Sequence, residues 1–165
     1  MPQPPHNPAN RLAVIETSMG TITCELFEKE APISTQNFIK YAEAGFYEGL
    51  IFHRIIKGFM IQGGGMTPQG SQKKALAAPI KLEISPALQH WDGALCYART
   101  MDPNSATSQF YICHGPQPGL DKNYAVFGQT IQGKDVVDQI ARTPTNAADK
   151  PKTDVIIKSV KIVKQ

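Results

Sequence analysis

Apolar and polar residues alternate near the start of the chain. The segment 21–27 alternates, with apolar Ile22, Cys24 and Leu26 on one side and polar Thr21, Thr23 and Glu25 on the other. A period of two is typical of a half-buried β-strand. The apolar run 12–16 and the turn residues Ser18, Met19 and Gly20 come just before it. We therefore predict that the chain opens with a β-hairpin.

In two other segments the apolar residues recur at helical spacing. In the first, Pro32 suits the first helical turn and Gly45 stands where a C-terminal cap is expected. The apolar stripe between them consists of Phe38, Ile39, Tyr41 and Ala42. The second segment, 134–142, is followed by Pro144 and has the inward positions Val136, Val137, Ile140 and Ala141. We predict one α-helix in each segment.

The remaining apolar runs are short and are separated by Gly or Pro. They predict strands at residues 51–56, 59–62, 80–84, 94–98, 110–113, 126–131 and 155–163. Many short strands with only two helices argue against a doubly wound parallel sheet. A closed antiparallel barrel or a sandwich remains, and the barrel has no exposed edge strand to protect. The stretches 63–78 and 99–107 are long enough to be functional loops.

Length and composition indicate one globular domain. The chain has 165 residues, of which 41% are hydrophobic and 19% charged, so disordered, fibrous and coiled-coil classes are disfavoured. Residues 1–10 contain four prolines, no Lys or Arg and no apolar core. We expect them to form a flexible N-terminal lead-in that is neither a signal peptide nor a helix, followed by a single domain over 11–165.

Charge and cysteine content indicate which classes of partner and which cellular compartment to expect. The net charge is +3 and no basic run exceeds the pair Lys73 and Lys74, so we expect no nucleic-acid partner. No segment approaches the ~20 apolar residues that span a bilayer. The three cysteines, Cys24, Cys96 and Cys113, cannot all pair, and none forms a C-x-x-C motif. Reduced thiols in a cytoplasmic protein explain this better than a secreted disulfide framework.

The densest cluster of distinctive residues is the segment 52–64, where an arginine stands among bulky apolar residues. An unpaired buried guanidinium is very costly, so Arg54 must reach water or be held by acceptors. Gln62 offers an acceptor oxygen, and a return turn near Gly58 would bring it alongside. Spacing alone leaves open a strand whose Arg54 simply points to solvent. Two weaker clusters, 104–112 and 120–128, are polar turns that enter apolar strands.

Together these clusters resemble the cyclophilin family. The family signature is matched nearly residue for residue by Phe52-His53-Arg54-Ile55-Ile56-x-Gly58-Phe59-Met60-x-Gln62-Gly63-Gly64. The segments 108–112 and 126–128 are similar to later blocks of the family, and the resemblance extends from about residue 13 to 163. The stretches 98–100 and 105–108 resemble the bacterial-type subgroup.

The resemblance implies a mainly β fold, a closed eight-stranded antiparallel barrel capped by two α-helices, with the site on its outer face. It implies a peptidyl-prolyl cis-trans isomerase that acts on X-Pro bonds in peptides and in unfolded or folding proteins. Arg54 would stabilise the twisted amide, Gln62 would hold the guanidinium, and His53 would complete the catalytic group. The substrate-binding residues implied are Phe59, Met60, Thr100, Met101, Gln109, Tyr111, Leu120 and Tyr124. Rotation breaks no bond, so no metal or other cofactor is expected.

The chain departs from the family pattern at four places. Pro118 and Gly119 stand where many relatives carry a Trp before the position of Leu120. We therefore expect weakened affinity for cyclosporin-type cyclic peptides. A common His, Asp and Phe of the family are replaced by Tyr124, Gly65 and Tyr111. None of these departures replaces Arg54 or Gln62, so we expect activity to remain while peptide preference shifts.

Other functions remain as alternatives. A thiol enzyme is suggested by the adjacent Cys113 and His114, but neighbours in a strand point to opposite faces. The histidines and cysteines lack zinc-ligand spacing. A proline-peptide binding module or chaperone-like scaffold would keep the pocket and could lose Arg54, so the presence of Arg54 with Gln62 favours an enzyme. A small domain with its site on its own surface needs no second subunit, and we expect a monomer.

Overall fold

The computed structural model describes residues 2–165, which form eight β-strands and two α-helices. The strands are β1 Leu12–Thr17, β2 Gly20–Leu26, β3 Ile51–Ile56, β4 Met60–Met66, β5 Ala94–Tyr97, β6 Phe110–Cys113, β7 Val126–Gln132 and β8 Ile157–Val163. The helices are α1 Pro32–Glu43 and α2 Lys134–Ala141, and a single 3-10 turn spans Pro118–Leu120. The prediction of a mainly β fold with eight antiparallel strands and two helices is confirmed.

All eight strands belong to one antiparallel sheet, in the order β3-β4-β6-β5-β7-β2-β1-β8. The sheet curls into a half-barrel, so its two end strands approach each other. A single bridge joins Ile51 to Ile156 just before β8. Beside it, the backbone N–H of Ile157 donates to the carbonyl of Leu50 at 2.8 Å.

The interior of the curl is filled by aromatic rings that α1 helps to cover. Phe38 of α1 packs edge-on against Phe110, with ring centroids 5.6 Å apart, and also contacts Phe127. Next to Phe38, Asn37 donates a hydrogen bond to the carbonyl of Thr107 at 2.8 Å. α1 therefore ties down the segment that leads into β6, which carries part of the site.

Both helices were predicted in the right places. α1 begins at Pro32, and Gly45 follows its C-cap with φ of 70°, a conformation that glycine adopts without steric cost. α2 ends one residue before the predicted boundary, and its buried residues are Val136, Val137, Ile140 and Ala141.

The predicted strand at residues 80–84 is wrong. This segment makes one isolated bridge, between Ile80 and Ala106, and otherwise runs as a loop. The carboxylate of Glu83 accepts hydrogen bonds from the first-turn backbone N–H groups of Ile33 (3.2 Å) and Ser34 (2.9 Å). Free N–H groups and the helix dipole favour an anion at a helix N-terminus. The segment is therefore held by capping α1 and not by a β-ladder.

The predicted loop 63–78 begins later than expected, because β4 continues through three glycines to Met66. A Cβ on Gly64 would lie 2.8 Å from the ring of Phe110, and the residue has φ of 88°. Only glycine fits there. The glycine run is therefore part of the sheet.

The predicted lead-in makes specific contacts where the structure describes it, from residue 2 onward; Met1 lies outside the described residues. The carboxylate of Glu25 is hydrogen-bonded by His6, Asn7 and Asn10. The indole N–H of Trp91 donates to the carbonyl of Pro2 at 2.8 Å. These contacts place the segment along β2, and its flexibility stays a prediction. Neither helix in residues 2–165 has the length and apolarity needed to cross a bilayer.

Candidate active site

Three adjacent strands place Arg54, Gln62 and Tyr111 in one row. Arg54 of β3 lies directly opposite Gln62 of β4, and Gln62 lies opposite Tyr111 of β6. Residues opposite each other in antiparallel strands share a face of the sheet. Since Arg54 is exposed, the row lies on the outer face.

A β-bulge at His53 sets the direction of Arg54. Phe52 pairs with Gly63 and Arg54 with Gln62, so His53 is an extra residue on β3. In a regular strand residues 52 and 54 would face the same side. Here Phe52 is fully buried and Arg54 is exposed. The bulge thus turns the guanidinium outward while the phenylalanine stays in the core.

A chain of side-chain hydrogen bonds continues from Arg54. Its Nη1 donates to Oε1 of Gln62 at 3.5 Å, and Nε2 of Gln62 donates to Oε1 of Gln109 at 3.0 Å. Gln109 fixes which end of the Gln62 amide faces the guanidinium. Arg54 keeps further N–H donors for a ligand because its guanidinium carries five.

A cleft of about 140 Å³ with both apolar and polar lining opens beside this row. The cleft is lined by residues from four separate segments of the chain: Arg54, Phe59, Met60, Gln62, Ala98, Arg99, Tyr111, Leu120 and Tyr124. Five of the eight predicted substrate-binding residues are thus brought together with Arg54 and Gln62. The cleft combines aromatic and aliphatic walls with the two guanidinium groups of Arg54 and Arg99, as expected of a site for a small group attached to a polar chain.

A second cleft of about 190 Å³ adjoins the first. Both share Gln62, Ala98 and Arg99, and the predicted residues Thr100 and Gln109 line the second. Its other lining residues are Gln72, Ser105 and Thr107. An elongated ligand in the first cleft can therefore extend into the second cleft, whose lining is largely polar.

Two predicted site residues line neither cleft. Met101 is 96% exposed, at the tip of the loop after β5. His53 is half-buried, and within residues 2–165 its Nδ1 has no hydrogen-bond partner. Burial, followed by the charges of Arg54 and Lys150, lowers the pKa of His53, so the imidazole is neutral at physiological pH. The observed relation of His53 to the site is the bulge that sets the direction of Arg54.

Gly65 leaves room for Gln109. A Cβ added at Gly65 would lie 2.4 Å from Cγ of Gln109. Real Cβ atoms do not approach so closely, so a larger residue would displace the Gln109 side chain. The glycine that replaces the family's usual Asp is therefore coupled to the Gln62–Gln109 hydrogen bond.

Arg99 is a site residue that the sequence reasoning missed. Its Nε and Nη2 donate to the carbonyl of Asn123 at 3.0 and 2.7 Å, and its guanidinium carbon lies 4.3 Å from the centre of the Tyr124 ring. Arg99 thus joins the loop after β5 to the far wall of the cleft. The signal in the sequence is an arginine at the junction of the predicted strand 94–98 and the predicted loop 99–107.

The structure contradicts a thiol dyad at Cys113 and His114. Nδ1 of His114 accepts from the backbone N–H of Gly58 at 2.8 Å, and Nε2 lies 2.8 Å from the Asp138 carboxylate. Both ring nitrogens are therefore engaged away from the thiol. Across residues 2–165, no group of three or more His, Cys, Asp or Glu side chains is arranged to hold a metal ion.

The model of the family described as "Cyclophilin type peptidyl-prolyl cis-trans isomerase/CLD" matches residues 12–162. The chain belongs to the cyclophilin family. A peptidyl-prolyl cis-trans isomerase of Acinetobacter baylyi is 46% identical over 166 residues, covering 95% of this chain and 88% of the relative. Peptidyl-prolyl cis-trans isomerase B of Escherichia coli K12 is 40% identical over 163 residues, covering 92% and 99%.

A solved structure has the same fold. The cyclophilin-type isomerase of Cryptosporidium parvum, crystallised in the presence of the dipeptide Ala-Pro, superposes with a TM-score of 0.84 at 33% identity. The match covers 93% of this chain and 98% of that one. The predicted family, its bacterial-type relatives and the peptidyl-prolyl isomerase function of this cyclophilin are thereby confirmed.

Proposed function

We propose that this cyclophilin binds the proline ring of an X-Pro peptide in the 140 Å³ cleft and that Arg54 accelerates rotation about the preceding bond. The uncatalysed barrier of ~18–20 kcal/mol arises from partial double-bond character between carbonyl carbon and nitrogen. Rotation removes that conjugation and returns a lone pair to the prolyl nitrogen. A donor that reaches this lone pair favours the twisted amide over the planar one.

The single observation that carries this mechanism is the Arg54–Gln62 pair beside the apolar walls of the 140 Å³ cleft. A charged donor held in place beforehand costs no reorganisation when the amide twists. The planar guanidinium can contact the prolyl nitrogen through one N–H and the substrate carbonyl through another. No proton is transferred and no covalent intermediate is needed.

Proline recognition is assigned to the apolar walls of the cleft, formed by Phe59, Met60, Tyr111 and Leu120. The Ala-Pro dipeptide named with the Cryptosporidium parvum relative supports a small proline ligand. Residues before the proline would extend towards the second cleft, where Thr100 and Gln109 offer polar contacts. Tyr124 would contact the peptide at the far wall, and Met101 at the rim.

The sheet is proposed to close into a barrel through the seam between β3 and β8. The bridge from Ile51 to Ile156 supports this, together with the 3.0 Å hydrogen bond from the N–H of Phe52 to the carbonyl of Val155. Closure matters for function because β3 carries Arg54. A strand bonded on both sides holds its bulge more rigidly than a free edge strand.

In the cell, the clients are proposed to be proline-containing peptides and unfolded or folding proteins. X-Pro isomerisation takes tens to hundreds of seconds unassisted, which makes it a slow step worth accelerating. A monomer in the cytoplasm without nucleic-acid or membrane partners agrees with the modest charge of +3 and the three buried free thiols. Cyclosporin-type ligands should bind weakly, since Pro118 and Gly119 form the turn before Leu120 and the sole Trp, Trp91, is bonded to Pro2.

The proposal is tested by the cis-to-trans rate of a short Ala-Pro peptide with the wild type, Arg54→Ala and Arg54→Lys. We expect Arg54→Ala to lower kcat/KM by about a thousandfold. Arg54→Lys should retain little activity, because a flexible point charge lacks the fork geometry. Arg142→Ala is the matched control, since Arg142 pairs with Asp138 on the surface outside both clefts. A folded wild type that binds the peptide without accelerating isomerisation would favour the binding-module alternative.

A further inference from the structure

The buried histidine His90 lies behind the 140 Å³ cleft, here called the proline cleft, and contacts Tyr111 in one of its walls. Nε2 of His90 lies 2.8 Å from the hydroxyl of Tyr111, and Nδ1 lies 2.9 Å from Oδ1 of Asp121. The His90 side chain is fully buried, whereas the Asp121 side chain is 26% exposed. Asp121, His90 and Tyr111 therefore form one chain of hydrogen bonds from the surface to the cleft wall.

The partners of His90 determine its tautomer. Oδ1 of Asp121 accepts a hydrogen bond from the backbone N–H of His90 at 2.6 Å, and the same oxygen accepts from Nδ1. Burial lowers the pKa of His90, and this outweighs the opposing effect of Asp121, so the ring is neutral. With the proton on Nδ1, Nε2 is an acceptor and the Tyr111 hydroxyl donates to it. The hydroxyl is thus turned away from the cleft.

The backbone of His90 holds the opposite wall. Its carbonyl accepts a hydrogen bond from the N–H of Gln117 at 2.9 Å, one residue before the turn Pro118–Leu120. Asp121, which bonds both the backbone and the ring of His90, comes directly after Leu120. The turn that presents Leu120 is therefore fastened to His90 at both of its ends.

We propose that His90 is a positioning residue for the proline cleft, which fixes the Tyr111 ring through its hydroxyl and the Leu120 turn through Asp121 and Gln117. This rests on the proposed function of the cleft beside Arg54. His90 lies outside the cleft lining and touches no substrate. It determines the spacing of two walls between which the proline ring must fit, and so affects substrate binding more than the rotation step.

The hydrogen bond between Tyr111 and His90 also explains how the cleft accepts a tyrosine where the family often has phenylalanine. Tyr111 is only 5% exposed, so its hydroxyl needs a partner. His90 supplies the acceptor, and the cleft meets only the apolar ring. Without that acceptor the hydroxyl would be left unsatisfied or would rotate the ring towards water.

A double-mutant cycle tests this with His90→Asn, Tyr111→Phe and both together. The Asn amide can still donate to Asp121 but does not extend to Tyr111. We expect H90N to raise KM for an Ala-Pro peptide about fivefold, with kcat changed by less than about twofold. In the Y111F background the same substitution should change KM by less than about twofold, since no hydroxyl is left unpaired. H6N, in the exposed histidine outside both clefts, is the matched control and should leave KM unchanged.

Equal KM losses from H90N with and without Y111F would overturn the proposed coupling, and so would a loss of stability with KM unchanged. Nitrogen-15 NMR of the wild-type imidazoles provides a second test, which does not depend on activity or on the folding of any variant. Protonation at Nδ1 of His90 is expected, and protonation at Nε2 would overturn the proposal. If the folded wild type shows no isomerase activity, the proposed function fails, while peptide affinity in the same four proteins and the NMR result still decide the role of His90.

Discussion

Arg54 and Gln62 face each other across β3 and β4, with Nη1 of the arginine 3.5 Å from Oε1 of the glutamine. The other end of the Gln62 amide donates to Gln109. An amide has one accepting and one donating end, so Gln109 fixes the oxygen towards Arg54. The orientation of the charged donor in the cleft therefore depends on two neutral side chains.

Replacing Gln62 by Ala should lower kcat on an Ala-Pro peptide by roughly tenfold or more, because a small misplacement of a catalytic group is costly. Arg54 keeps its charge in this variant but loses its fixed position. The isomerisation rate, measured with saturating peptide, checks the prediction. Gln132→Ala at the exposed end of β7 is the control. A kcat for Q62A equal to that of the control would show that Arg54 needs no support.

Gly65→Ala should act through Gln109. The added Cβ would lie 2.4 Å from Cγ of Gln109, so the side chain must rotate away and release Gln62. Isomerase activity is expected to fall by roughly threefold to tenfold, with the same loss in Gln109→Ala. The double variant should then be no worse than either single one. Additive losses would indicate that Gly65 is required for the backbone of β4 and not for Gln109.

Much of this architecture could be predicted because the hydrophobic pattern follows the sheet. Alternation from Thr21 to Leu26 marks β2 as a strand, although Glu25 on its polar side is buried as well, and the helical stripe around Phe38 marks α1. The pairing of Arg54 with Gln62 could be predicted because two strands joined by a tight turn at Gly58 must bring such residues together. Local pattern and tertiary structure agree at these places.

Other features depend on contacts that no local pattern contains. Residues 80–84 alternate like a strand, yet Glu83 is used to cap α1, some fifty residues earlier in the chain. The bulge at His53 breaks the period of two within a strand of correct length, so the sequence could not assign His53 to a face. Arg99 contacts Tyr124 only because the loops after β5 and before β7 meet in space.

Trp91 should report on the N-terminal segment. The chain has one Trp, the residue is 7% exposed, and its indole N–H is bonded to the carbonyl of Pro2. Deleting residues 1–8 should expose the indole and shift its fluorescence emission to longer wavelength. The deletion also removes two hydrogen-bond partners of the buried Glu25, so the free energy of unfolding should fall by about 1–3 kcal/mol. Unchanged emission from the truncated protein would show that the segment does not cover Trp91 in solution.

The cysteines should be inert in the folded protein. Cys24, Cys96 and Cys113 are all buried, and burial raises the pKa of Cys24 to about 12. Because the thiolate is the reactive form, alkylation by iodoacetamide should require unfolding of the chain. Mass spectrometry after native treatment is expected to show no adduct, with isomerase activity unchanged, while treatment in urea labels all three. Fast native labelling accompanied by loss of activity would revive a thiol mechanism.

Stability should fall in two steps as the pH is lowered. Burial lowers the pKa of both His53 and His90, so the unfolded chain binds protons more readily and stability declines below about pH 6.5. For Glu25, burial raises the pKa, but hydrogen bonds from Asn10, Asn7 and His6 lower it by more. The contribution of Glu25 to the free energy of unfolding is therefore present above about pH 4.5 and is lost as the pH falls through the lower pKa of the folded state.

Urea unfolding between about pH 8 and pH 3 measures both steps. Glu25→Gln should shrink the acidic step and leave the step near pH 6.5 in place, whereas stability that rises between about pH 7 and pH 5 would contradict the assignment of neutral, buried histidines.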